Sequence, residues 1–73
     1  MPVIDMTATG QKIKQMRTQA GMTIKDMQEM TGVSASAVTK WQRGESMPSI
    51  DNLVIMASAW SVKIDDIIVT AAI

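Results

Sequence analysis

Ser36, Thr39, Lys40 and Arg43 recur at three- and four-residue steps, a spacing that sets them along one side of a helix. Two hydroxyls, an ammonium and a guanidinium are groups that donate hydrogen bonds and neutralise anions. They do not break covalent bonds unless a base or a metal helps them. The chain has no His and no Cys, which excludes imidazole bases, thiolate nucleophiles, disulfides and the common zinc sites. No glycine-rich phosphate loop is present, and Asp65-Asp66 is a lone acidic pair, more simply read as the acidic start of a helix. We therefore expect recognition rather than catalysis: no enzyme, no metal and no cofactor. The ligand that fits such a face is rich in acceptor atoms and negative charge.

The elements that must hold this face follow from length and pattern. Seventy-three residues suggest one small domain, residues 1–73. A chain this short buries only about 60% of its unfolded surface, so closely packed helices suit it. Trp41 and Trp60 are the sole aromatic residues, and eight Met share the packing, a residue that adapts to irregular gaps. Seven basic residues balance seven acidic ones, yet they are unevenly spread. Up to Gly44 six cations face three anions, and beyond it one cation faces four. The asymmetry suggests a basic face and an acidic end, although an ordinary mixed surface has the same total. No apolar run reaches the ~20 residues of a membrane span, and the first ten residues lack a secretion-signal pattern. The expected location is the cytoplasm.

Along the chain, residues 1–6 read as a mobile or loosely docked arm. Residues 7–68 read as a helical core, and residues 69–73 as an apolar tail that packs, extends as a strand or pairs with another copy. A first helix carries Ile13, Met16 and Ala20 inward and stops at Gly21. Thr23 caps a second helix, with Asp26 in its first turn and Ile24, Met27 and Met30 on its apolar side. It ends at Thr31-Gly32, and Val33 plugs the turn. A third helix spans about 34–43, with Ala37, Val38 and Trp41 inward, and Gly44 closes it. Pro48 bars helix in the next loop. Ser49 caps a fourth helix whose wide apolar face comprises Ile50, Leu53, Val54, Met56, Ala57 and Trp60. A short fifth helix covers Asp65 to Ile68. The order is five helices with no confident strand.

"GQKIKQMR", "GMT", "TGVSASAVTKWQRGESMPSIDNL" and "WSVKIDDII", in this order, resemble the helix-turn-helix domain of phage Cro and repressor proteins, the XRE-type regulators. The resemblance runs from about Gly10 to Ile68. It implies an all-α, five-helix lambda-repressor-like fold. It also implies that the third helix enters the major groove of double-stranded DNA while the second crosses the backbone above it. On that basis Ala35, Ser36, Thr39 and Lys40 are the expected base contacts, with Lys40 suited to guanine acceptors and Ala35 to a thymine methyl. Thr23, Lys25, Gln28, Ser34 and Arg43 are the expected phosphate contacts, which position without reading sequence. Ser34 reads equally as a pure helix cap, Ala35 as a good helix former, and Lys40 with Arg43 as a solvated face.

The chain departs from the family pattern at three places. Ile24 stands where the family carries a phosphate-touching Gln. Gln28 stands where it prefers Ala, because the two helices nearly meet there. Arg17 faces Gln42 where an Arg–Glu pair is usual, so a hydrogen bond replaces an ion pair. The function implied is sequence-specific binding of double-stranded DNA by a transcriptional regulator, in the first instance a repressor. It would act as a homodimer through helices four and five and the tail. The alternative on the same scaffold is a protein-interaction module, such as an antitoxin that caps a toxin, for which Ile24, the neutral charge and the apolar tail speak.

Overall fold

The computed structural model describes residues 1–73 and holds five helices and one strand pair. The elements are β1 (Pro2–Ile4), α1 (Met6–Gln19), α2 (Ile24–Thr31), α3 (Ala35–Arg43), α4 (Ile50–Ala59), α5 (Ile64–Ile67) and β2 (Thr70–Ala72). Local chemistry sets most boundaries. The Asp5 carboxylate accepts a hydrogen bond from the Ala8 amide at 2.9 Å and starts α1. Thr23 and Asp26 form a reciprocal capping box on α2, which satisfies donors that a helix start leaves unpaired. Ser34 and Ser49 cap α3 and α4 through the Ala37 and Asn52 amides, each at 3.1 Å. Gly32 and Gly44 end α2 and α3 at φ 76° and 75°, a backbone state that a side chain disfavours.

The core is one cluster of Ile13, Met27, Val38, Trp41, Leu53, Met56, Ala57 and Ile67. Every helix contributes, so burial of apolar surface ties all five together. Met16, Met22, Ile24, Met30 and Val33 pack half-buried around it. Met16, Met22, Met27 and Met30 thus fill space in and around the core, the use that an adaptable side chain suits. No helix is long and apolar enough to cross a membrane.

Three expectations need correction. The fold is mostly helical but not all-α, because β1 and β2 pair antiparallel, with Val3 opposite Ala71. The arm and the tail therefore hold each other. Residues 1–6 are a strand followed by a cap and the first residue of α1, since Val and Ile favour a pleated conformation. Finally, α4 does not bury a wide face. Ile50 and Val54 are 69% and 51% exposed, and Ile55 is exposed as well. Only Leu53, Met56 and Ala57 are buried, with Trp60 half-buried, because α2 and α5 meet α4 along one narrow arc.

Candidate nucleic-acid interface

Helices α2 and α3 are joined by Gly32, Val33 and Ser34. The left-handed Gly32 turns the chain sharply, and the Gly32 amide donates to the Gln28 carbonyl at 2.8 Å, closing the end of α2. Half-buried Val33 packs against the core and sets where α3 begins. Along α3, Val38 and Trp41 turn inward and are buried, whereas Ala35, Ser36, Lys40 and Arg43 are exposed. Thr39 is half-buried at the margin of that face. A helix with its side chains is ~10–12 Å across, and the major groove is ~12 Å wide, so one such helix fits it.

The nine residues singled out from the sequence fall into three groups. Ala35, Ser36, Thr39, Lys40 and Arg43 lie on the outer side of α3. Thr23 and Ser34 are exposed at the starts of α2 and α3, where both oxygens accept the cap bond. Each hydroxyl keeps its own proton for another acceptor, so capping and phosphate contact are compatible. Lys25 and Gln28 line an open depression of about 480 Å³ with Glu29, Gly32 and Val33. Gln28 makes no side-chain hydrogen bond to α3 and lines this depression. Ile24 is half-buried against the core, so it serves packing where the family pattern carries a phosphate contact.

The electrostatics leave the outer cations available. Arg17 is the one basic side chain with its charged group hydrogen-bonded inside the protein. Its Nε donates to Gln42 Oε1 at 3.0 Å and Nη1 to the Met22 carbonyl at 2.8 Å. One side chain thereby ties α1 to the α1–α2 loop and to the end of α3. The carbonyl of Gln42 lies beside Gly10, so this end of α3 is held twice. The family resemblance brought Arg17 and Gln42 together; it did not show that Gly10 and Gly44 are the contact points between α1 and α3. The available signal was an isolated Gly inside a helical pattern, which marks a close approach when it is not a stop. Arg17→Met should lower stability by about 2 kcal/mol, since hydrogen bonds from a charged group are worth about 1.5–3 kcal/mol. Chemical denaturation checks it.

The Asp26 carboxyl is held below its ordinary 3.8, first by the Thr23 amide and then by the Thr23 hydroxyl, against a smaller desolvation effect, with the Lys25 charge adding least. A depressed carboxylate stabilises the fold above its unfolded value, and that contribution disappears as pH falls through the lower folded value. Asp26→Asn should therefore lower the thermal midpoint slightly at neutral pH. The two proteins should converge in acid below the carboxylate range. Midpoints measured across that window test the sign. The effect is small because the group is solvated.

No group of three or more His, Cys, Asp or Glu side chains that could hold a metal occurs. The helix-turn-helix family model matches residues 13–67. A transcriptional activator of the helix-turn-helix type, BcrR of Enterococcus faecalis, is 31% identical over 58 residues, covering 80% of this chain. The chain spans 28% of that protein's length. Among solved structures, the P22 c2 repressor in complex with a synthetic operator superposes with a TM-score of 0.71 at 28% identity, over 78% of this chain and 86% of that one. The restriction-modification controller protein C.AhdI of Aeromonas hydrophila has the same fold, with a TM-score of 0.75 at 24% identity over 86% of this chain and 96% of its own.

Proposed function

Because the chain belongs to the helix-turn-helix family, of the Cro/repressor-like kind, we propose that it binds double-stranded DNA sequence-specifically and regulates transcription, with α3 in the major groove. The observation that carries this reading is the outer side of α3. Four exposed residues and a half-buried threonine present two hydroxyls, a methyl and two cations, none engaged with the rest of the protein. Lys40 and Ser36 reach base edges, Ala35 meets a thymine methyl, and Thr39 reads a base or touches the sugar–phosphate edge. Arg43, Lys25, Gln28, Thr23 and Ser34 hold the phosphates. A single helix makes few base contacts, so affinity requires two half-sites and a homodimer. The chain acts by occupancy, not chemistry, and represses by covering promoter DNA. The activator relative is a much longer protein.

Binding should fall steeply with salt, because neutralised phosphates release condensed counterions. Fluorescence anisotropy of a labelled duplex between low and physiological salt measures the slope. A slope near zero would contradict the proposal. A second reading has its own support. Exposed Ile50, Val54 and Ile55 on α4 suit a protein-interaction module whose partner is a protein such as a toxin. A stable protein complex without any duplex binding would favour it.

A further inference from the structure

Thr9 is the one buried polar side chain, wholly out of solvent beside an apolar core. Valine has nearly the same shape, so packing alone does not call for a hydroxyl here. Both hydrogen bonds of that hydroxyl go to Val69. It accepts from the Val69 amide at 2.9 Å and donates to the Val69 carbonyl at 3.3 Å. The same carbonyl accepts from the Asp5 amide at 2.8 Å. Both backbone groups of Val69, 60 residues along the chain from Thr9, are therefore satisfied by the start of α1.

The same stretch of α1 also meets the end of α3. A Cβ on Gly10 would lie 2.3 Å from the Trp41 carbonyl oxygen, and one on Gly44 would lie 2.8 Å from the Thr7 Cα. No backbone hydrogen bond joins the two segments. They bear on each other by contact alone, so the end of α3 sits where the start of α1 lets it. Lys40 directly precedes Trp41, and its carbonyl accepts from the Glu45 amide at 2.9 Å. The tie from Arg17 to Gln42 comes from farther along α1. It is a side-chain bond, about which α3 can swing when the backbone contact is lost.

We propose that Thr9 is a positioning residue for DNA recognition: by docking Val69 on the start of α1, its hydroxyl fixes the seat of the end of α3, and with it the angle at which Lys40 meets the bases. This rests on the DNA-binding reading above. Thr9 itself touches no DNA and carries no charge. Without the hydroxyl the Val69 amide loses its acceptor in a place only partly open to water, which disfavours the docked tail. The start of α1 is then held less firmly against α3. Base contacts depend on direction and suffer most; phosphate contacts tolerate a small swing, because they position without reading sequence.

Thr9→Val removes the hydroxyl and keeps the shape, whereas Thr9→Ser keeps the hydroxyl. Binding isotherms are measured on the preferred duplex and on one changed at the base pair whose preference Lys40→Ala relaxes. Thr9→Val should lower the ratio of the two affinities about tenfold, the loss of one well-formed base contact. Its salt slope should stay that of the parent, because every cation remains. Thr9→Ser should keep the parent ratio. Circular dichroism at the assay temperature reports that each variant is folded. Leu53→Val, a buried change on α4, lowers stability away from this contact and should also keep the ratio. Val69→Pro makes the test independent of a substitution at Thr9. It deletes the amide that Thr9 accepts, and Ile68 before it is already extended at φ −80° and ψ 125°, as a following proline requires. It should reproduce the loss of discrimination. A parent ratio in Val69→Pro or in folded Thr9→Val overturns the role of Thr9 and leaves DNA binding standing. So does an equal fall in Thr9→Ser or in Leu53→Val. A parent chain that binds no duplex overturns both.

Discussion

Gly10→Ala should lower stability by about 3 kcal/mol, the upper end for overpacking, and the thermal midpoint by about 15 °C. A Cβ at Gly10 would sit 2.3 Å from the Trp41 carbonyl oxygen, 2.7 Å from that of Gln42 and 2.9 Å from its carbonyl carbon. All three are backbone atoms at the end of α3, so no side-chain rotation relieves them. Helix α1 must lift away from α3, and the Arg17–Gln42 bond must stretch or break with it. Gly44→Ala should be severe too, because its φ is +75° and its Cβ would meet the Thr7 backbone at 2.8 Å. Gly21→Ala separates conformation from space. Its φ is +71° but nothing lies within 4 Å, so it should cost only the ~1 kcal/mol of a left-handed residue. Thermal unfolding of the three variants gives the order. Equal losses at Gly10 and Gly21 would refute the contact between α1 and α3 as the cause.

Lys40→Ala and Arg43→Ala should both weaken duplex binding, in different ways. Lys40 is exposed one turn before the end of α3, where the proposed bidentate contact to guanine would discriminate by about 1–3 kcal/mol. Its loss should reduce affinity roughly 10- to 100-fold for the preferred sequence and relax the preference at one base pair. Arg43 is the exposed last residue of α3, farther from the residues proposed to enter the groove first. Its loss should weaken all sequences alike and reduce the salt slope by about one. Binding isotherms on a preferred and a scrambled duplex, at two salt concentrations, distinguish the two patterns. If both substitutions leave both isotherms unchanged, another surface holds the DNA.

Helix starts were legible because the chemistry is local. Thr23 with Asp26, Ser34 and Ser49 each carry an oxygen at the residue that needs it. The inward positions of Val38 and Trp41 followed from spacing alone. The strand pair was not legible, because Pro2–Ile4 and Thr70–Ala72 are joined by contacts nearly the whole chain apart. Each is too short for a periodic signal. The outward Ile50 and Val54 misled for a related reason: hydrophobicity says that a residue gains from burial, not that a partner is present. Thr9 was silent too. It is fully buried, and its hydroxyl accepts from the Val69 amide at 2.9 Å, so a polar side chain in α1 anchors the start of β2. For the interface, Gln28 illustrates the limit. Sequence marked it as a departure, and only the fold shows it lining the depression beside Lys25.

Selection of bound duplexes from a random pool tests the central claim most directly, because it reports binding and specificity together. The expected result is enrichment of a near-palindrome whose half-site centres lie about 34 Å apart. Repeating the selection with Lys40→Ala should change one position in each half. A pool that emerges without any preferred sequence, from the parent chain at low salt, would contradict a recognition helix lying in the groove.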